Sequence, residues 1–518
     1  MTATTDTLRF ATRFWEALTQ DLPEAPRQPR QVAQACASAV DPEPMPAPEL
    51  LAWSADCAAQ LGLADPADAP EREAAALLWA GQRGAPGGQC YALRYGGHQF
   101  GNWAGQLGDG RVINLGELRD AQGVWQTLQL KGAGRTPYSR GADGRAVLRS
   151  SIREFVLSEA MAALGVPTSR ALALVGSGEQ VERDMFYDGR PRLEPGAIVT
   201  RVAPSFVRLG NFEIHAALEE TDTLRRLCDY VMAEHYPEQG GDVVGFYAEV
   251  CRRTARLLAD WMSLGFVHGV MNTDNLSILG LTIDYGPFGW LEPLEPDWTP
   301  NTTDAQQRRY CYARQPQIAQ WNLGCLGAAL MPLGPPRAEL EQALRAFHAE
   351  YNAAFRARMA AKLGLEAIGA EDEDWLQQLF ALMQARALDF SRTFRALSGP
   401  LAQAQGEALL AALDAHSYAE SDWTPQQRAL AEQWFAGWHA RRRVAPEALR
   451  AHNPAVVPRN WLLAEAIEAA EAGDMSVLER LQAALARPFE DPADAHLAGL
   501  RPDWARDKAG CSQLSCSS

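Results

Sequence analysis

The segment His268-Gly-Val-Met-Asn-Thr-Asp274-Asn275 runs through a short apolar stretch, Leu276 to Ile283, into Asp284-Tyr-Gly-Pro-Phe-Gly. Asp and Asn offer hard oxygens of the kind that hold Mg²⁺. If the apolar stretch folds as a tight hairpin, Asn275 before it and Asp284 after it converge at one end, which makes them the candidate metal ligands. A second group of residues suits the phosphates that such an ion accompanies. Gly108-Asp109-Gly110-Arg111 lies directly before an apolar run, where glycines either make a simple turn or let backbone N–H groups approach a phosphate. Lys131 closes the following apolar run, and Glu154 comes 23 residues later in a helical pattern. Arg135, Arg140, Arg145, Arg149 and Arg153 face only Asp143 between Gly132 and Arg153, a basic pocket in an acidic chain. Arg201 and Arg208 add fork-shaped donors, either for bidentate phosphate contact or as structural ion-pair partners.

The elements that must position these groups follow from periodicity. RVINLGEL and VWQTLQLKG, split by the polar Arg119 to Gly123, predict two antiparallel strands. In AVLRSSIREFVLSEAMAALG, Leu148, Ile152, Phe155, Val156 and Met161 recur at a helical period and Gly165 marks the stop. A strand lysine held by a helix carboxylate is how kinase-like folds aim an ammonium at nucleotide phosphates. GAIVTRVAPSFVRLGNFE reads as further strand, and DVVGFYAEVCRRTARLLADWMSLG as a long helix ended by Gly265. LSIL and LTID predict the tight hairpin, and the text from Arg337 onward is helical. The expected fold is α+β, a protein-kinase-like bilobal body with an N-terminal leader and a helical C-terminal extension. We divide it into a leader at 1–90 packed on the core, an N-lobe at 91–235, a C-lobe at 236–365 and the extension with a redox tail at 366–518.

Kinases place their base Asp two positions after the loop His. Here that position is Val270. Either the chain is an inactive kinase relative, or another carboxylate serves, with Asp274 the nearest; His268 reads as a structural loop residue.

Composition sets the outer limits. A chain of 518 residues exceeds one ordinary core, so two or more lobes and a cleft between them are expected. A formal charge of −16 argues against a nucleic-acid or anionic-membrane binder, since both need clustered positive charge. The N-terminal text carries Asp6 and Glu16 and does not read as a secretory signal; Gln315 to Pro336 is too interrupted by polar residues and prolines for a membrane span. Nine scattered cysteines lack zinc-site spacing and fit a reducing cytoplasm. The odd count, with Cys511 and Cys516 near the end, leaves room for one redox-active pair.

The blocks YGGHQFGNWAGQLGDGR, LQLKGAGRTPYSRGADGRAVLRSSIREF, TRVAPSFVRLGNFE and FVHGVMNTDNLSILGLTIDYGPFG resemble the signature blocks of the selenoprotein O family, and QPQIAQWNL and the Cys-Ser-Ser end extend the resemblance over most of the chain. It implies a kinase-like adenylyltransferase that binds ATP in an inverted orientation and transfers AMP to Ser, Thr or Tyr hydroxyls of proteins, releasing pyrophosphate. By this resemblance Lys131, Arg201 and Arg208 hold phosphates, Gly108, Gly110, Arg111, Asp143 and Gly144 complete the nucleotide site, and Glu154 orients Lys131. Asp274 is then the base, and Asn275 and Asp284 bind Mg²⁺, with Mn²⁺ as the alternative ion. The implied partners are protein substrates, with no nucleic acid or membrane, and the enzyme is expected to be a monomer. The family also implies a redox role for Cys516, whose mate is Cys311, Cys511 or nothing. The competing functions are a conventional phosphotransferase and a non-catalytic nucleotide-binding pseudokinase.

Overall fold

The computed structural model describes residues 7–185, 189–511 and 513–515. The leader holds helix α1 (Arg13–Ala17), strands β1 (Gln20–Asp21), β2 (Ala37–Ala39) and β3 (Glu49–Trp53), and helices α2 (Ala55–Gln60) and α3 (Ala69–Trp79). It is more than a wrapping. Strands β4 (Tyr91–Leu93), β7 (Val112–Arg119), β8 (Trp125–Lys131), β10 (Arg170–Arg183) and β11 (Arg192–Ala203) form a sheet in the order β1-β2-β4-β7-β8-β11-β10-β3, with β9 (Ala146–Val147) on β11. The leader thus supplies the strands at both edges. A separate hairpin, β5 (Gly96–Gln99) with β6 (Asn102–Gln106), projects from this lobe.

Both faces of the sheet are covered, which explains why β7 is buried along nearly its whole length. Alternation sorts its side chains: Ile198 and Val202 point to a core with the leader's Leu50, Leu78 and Trp79, whereas Ala197 and Val199 join Ile152 and Phe155 of helix α4 (Leu148–Ala163). Each fully buried Leu or Ile there contributes about 1.5–3 kcal/mol relative to exposure. The predicted hairpin β7–β8 is present, with Val112 opposite Lys131, and α4 ends before Gly165 at φ +79°.

After β11 the strand reading fails. Pro204 lacks the N–H to continue the ladder, and the chain turns into helix α5 (Leu209–Ala217), its start fixed by Arg208 N donating to Asn211 Oδ1 at 2.7 Å. Helices α6 (Thr221–His235) and α7 (Val243–Leu264) follow. Asp242 caps α7 by accepting from the Val244 and Gly245 N–H groups, and Gly265 ends it at φ +77°. The C-lobe continues through β12 (Phe266–Val267), β13 (Gly289–Trp290), α8 (Gln315–Leu330) and α9 (Arg337–Leu363), with α9 lying along α7.

The expected hairpin between LSIL and LTID does not form. Ser277 instead bridges Arg208, and Thr282 bridges Thr168. The physical reason is that backbones arriving from the sheet-bearing lobe take up the hydrogen bonds: Ile278 N donates to Val207 O at 3.0 Å and Thr282 N to Pro167 O at 2.9 Å. Asn275 and Asp284 still flank this segment, which now stitches the two lobes together.

The extension consists of α10 (Glu373–Ala385), α11 (Phe390–Ala396), α12 (Gly406–Asp414), α13 (Pro425–Arg441), α14 (Asn460–Glu471) and α15 (Ser476–Leu485). Trp375 of α10 stacks on Trp434 of α13 at 5.0 Å, while α14 and α15 return to pack on α4. The last helices therefore brace the helix that carries Glu154. Among the described residues no helix is long and apolar enough to cross a membrane.

Candidate functional site

A cavity of about 780 Å³ opens between the sheet and the loop around Asp274. Lys131, at the end of β8, and Glu154, two turns into α4, meet at 2.7 Å. Glu154 also accepts from Arg201 at 3.0 Å, and Arg201 reaches on to Asp284 at 2.7 Å and to Gln129 at 2.6 Å. Arg208 grips the other Asp284 oxygen through Nε at 2.9 Å and Nη2 at 2.8 Å. Lys131, Glu154, Arg208 and Asp284 border the cavity, while Arg201 is fully buried and holds the two carboxylates from behind. The sequence suggested phosphate contact or structural pairing for Arg201, and its contacts here are those of an ion-pair partner.

The electrostatics follow from this packing. Burial alone would raise the Asp284 carboxyl, but Arg208, Arg201 and Lys131 outweigh it and hold it far below the usual carboxylate range. Glu154 is likewise lowered against burial by Lys131 and Arg201. Lys131 shifts down because burial exceeds the pull of Glu154. Asp284 adopts φ +56°, a left-handed backbone uncommon outside glycine, so the surrounding arginines also fix a strained residue.

Gly108, Gly110 and Arg111 form one rim. A Cβ on Gly108 would lie 2.3 Å from the Tyr138 ring, and one on Gly144 2.2 Å from the Gly134 backbone. These glycines let the 108–111 and 133–145 loops close on each other, so that backbone rather than side chain faces the cavity. The Arg111 carbonyl accepts from Gly132 N at 2.7 Å, but its guanidinium makes no hydrogen bond or ion pair among the described residues, which leaves it free for an anion. Asp143 sits at the mouth and pairs with Arg183 at 2.7 Å. Of the five clustered arginines only Arg140 and Arg145 border the cavity. Arg135 is near Glu43, Arg149 pairs with Glu194, and Arg153 turns to Asn460 and the Phe288 carbonyl. The basic pocket is thus smaller than its sequence suggests.

Asp274 occupies the short 3-10 turn Thr273–Asn275. Gln99 Nε2 donates to its Oδ2 at 3.3 Å, and Oδ1 is buried without a hydrogen bond among the described residues. Burial pushes this carboxyl up to about 7, with the Gln99 contact working against the rise. Gly97 packs so closely that an added Cβ would lie 2.6 Å from Oδ1. The hairpin β5–β6 is held on this loop by His98 N donating to Thr273 Oγ1 at 2.7 Å and Phe100 N to Asn272 Oδ1 at 3.2 Å. Asn275 Nδ2 donates to Val270 O at 3.0 Å, so its amide oxygen is what it can offer the cavity. His268 accepts no such role: its Nε2 bonds Ile283 O at 3.0 Å and its ring stacks on Trp261.

Two residues escaped the sequence reading. Asp109 is wholly buried, accepts from Leu93 N at 3.0 Å and lies 3.6 Å from Arg208, anchoring that arginine from the side away from Asp284. Its only signal was a position between two glycines, which looks like any turn. Gln99, the neighbour of Asp274, lies inside the block YGGHQFGNW but 175 residues from its partner. On the tail, Leu514 bonds the Pro300–Thr302 backbone, Cys311 and Cys511 are buried free thiols, and Cys516 lies outside the described residues.

The family described as protein adenylyltransferase SelO matches residues 26–486. A protein nucleotidyltransferase YdiU of Nitrosospira multiformis is 50% identical, over 98% of this chain and 96% of its own. Another of that description, from Xanthomonas campestris pv. campestris, is 51% identical over 99% of each chain. Among solved structures, ROP2 from Toxoplasma gondii, described as having a protein-kinase fold and no enzymatic activity, is 14% identical over 57% of this chain and 83% of that one, at a TM-score of 0.24 too low to carry an argument.

Proposed function

The chain belongs to the protein adenylyltransferase SelO family, and from that premise we propose that its cavity presents the α-phosphorus of ATP to a Ser, Thr or Tyr hydroxyl of a protein. The hydroxyl oxygen bonds to the α-phosphorus, the bond from that phosphorus to the bridging oxygen of the β-phosphate breaks, and pyrophosphate leaves. Asp274 takes the hydroxyl proton. Lys131, Arg208 and the unpaired Arg111 hold phosphate oxygens, Glu154 aims Lys131, and Arg201 fixes Glu154 and Asp284 in their relative positions. Gly108, Gly110, Asp143 and Gly144 shape the rim that encloses the nucleotide.

Asn275 and Asp284 would hold Mg²⁺. The donor set fits, being an amide oxygen and an anionic carboxylate at one cavity wall, both hard ligands. When bound, the ion neutralises triphosphate charge. Eight free cysteines among the described residues support a reducing, cytoplasmic setting.

One observation carries the reading: Val270 stands where a kinase base would be, while Asp274 offers the same cavity a buried carboxylate oxygen with no hydrogen bond among the described residues. ATP labelled at the α- or the γ-phosphate tests it. Label should reach protein from the α position only and should vanish with a chelator. Transfer from the γ position alone would make the enzyme a phosphotransferase, and transfer from neither would make it a binding module.

A further inference from the structure

Outside the cavity, three side chains from distant parts of the chain converge. His98 of β5, Glu213 of α5 and Cys325 of α8 each offer a ligand-type atom, and these atoms all lie within 4.8 Å of one another. None of the three borders the nucleotide cavity among the described lining residues. Glu213 is 4% exposed, and its Oε1 meets His98 Nδ1 at 2.6 Å. The other oxygen, Oε2, is shut off from solvent and makes no hydrogen bond of good geometry among the described residues, although the nearby Thr273 hydroxyl eases the charge. A carboxylate so placed costs several kcal/mol unless it is fully paired or bound to a cation. Cys325 is a half-buried free thiol that burial pushes up to about 12. The His98 ring is steadied by Trp103 and Trp321, at 5.2 and 5.4 Å.

We propose that His98, Glu213 and Cys325 form a binding site for a divalent cation of the Zn²⁺ class, separate from the nucleotide's metal. One nitrogen, one carboxylate oxygen and one sulfur make a borderline-soft set that suits zinc, whereas the oxygen pair Asn275 and Asp284 suits magnesium. The two sites therefore sort ions by ligand chemistry. Coordination takes the proton from the Cys325 thiol, and thiolate and carboxylate together balance the doubly charged ion. Ligand atoms about 2.0–2.1 Å from a tetrahedral ion sit about 3.3 Å apart, so the His98–Glu213 contact opens by less than about 1 Å on binding. Since His98 and Cys325 are partly exposed, solvent fills the fourth position. The ion ties β5 to α5 and α8 beside the loop that bears Asp274, because His98 N bonds Thr273 and Gly97 abuts Asp274.

The full chain titrated with Co²⁺ in excess Mg²⁺ tests this. A thiolate-to-cobalt absorption band in the near ultraviolet should saturate at one ion per chain and be displaced by Zn²⁺. Cys325→Ala should remove the band and weaken Zn²⁺ binding at least about tenfold, and Glu213→Gln, checked for folding by circular dichroism, should weaken it as well. The band should persist in Asp284→Ala. No thiolate band in the wild type, or the same band in Cys325→Ala, or its loss in an Asp284→Ala chain that circular dichroism shows to be folded, would each overturn the site.

Discussion

Asp274 and Asp284 lie ten positions apart and border one cavity, Asp274 buried and Asp284 with a side chain 16% exposed, yet their surroundings are opposite. Asp284 shares its burial with Arg201, Arg208 and Lys131 and stays anionic well below the usual carboxylate range. Asp274 shares its burial with one amide at 3.3 Å, and its carboxyl rises to about 7. On the proposed assignment the same side chain serves two tasks set by its partners: a fixed anion for a cation, and a carboxylate with capacity to accept a proton. Paired titratable groups pushed apart in this way are how one site runs two kinds of chemistry.

The contrast is most severely tested at Asp284. Asp284→Ala should cut AMP transfer by about 100-fold or more, because the triphosphate loses its neutralising ligand. It should also cost about 3–5 kcal/mol in a urea melt, since Arg201 and Arg208 are left buried without that partner. A stability change under about 1 kcal/mol would show that the arginines do not depend on this carboxylate. The companion change Asp274→Asn should lower kcat by about 100-fold or more with ATP affinity nearly unchanged. Its melting temperature should stay level or rise, because a poorly paired buried carboxylate has been removed. An affinity loss as large as the kcat loss would reassign Asp274 to binding.

Smaller effects sharpen the same comparison. Gln99→Leu removes the hydrogen bond to Asp274 Oδ2 and should lower kcat about fivefold, the worth of one ordinary hydrogen bond, with ATP KM unmoved. Lys362 is a cationic counterpart of Asp274, buried at the end of α9 with the Phe394 ring 4.5 Å from its ammonium. Burial lowers its pKa from 10.5 to about 7. Between those values the unfolded chain binds the proton more tightly, so the cost to the fold is greatest at and below about pH 7 and fades toward 10.5. Relative to Lys362→Met, wild-type stability should therefore climb with pH across that window by at most about 1.4 kcal/mol per pH unit. A flat difference in denaturation midpoints from pH 7 to 9 would mean that Phe394 satisfies the charge.

Local signals made much of this legible in the sequence. Apolar periodicity and glycine stops located β7, β8, α4 and α7, of which β8 carries Lys131 and α4 carries Glu154. Partners chosen across long separations left no such mark. The Ser277 and Thr282 bridges depend on backbone arriving from Arg208 and Thr168, and the leader's β2 and β3 are strands because β4 and β10 pair with them. The dispersal of Arg149 and Arg153 has the same origin, since α4 turns them toward Glu194 and Asn460 rather than the cavity.

The leader's place at both sheet edges has a consequence for synthesis. Trp53 of β3 pairs with Ala173 of β10, so the early strand must wait 120 residues for its mate. At a ribosomal pace of about 5–20 residues per second that wait is roughly 6–24 s. For that interval β3, α2 and α3 lack the β10 strand that completes their core, which leaves part of the leader's apolar surface exposed on the nascent chain.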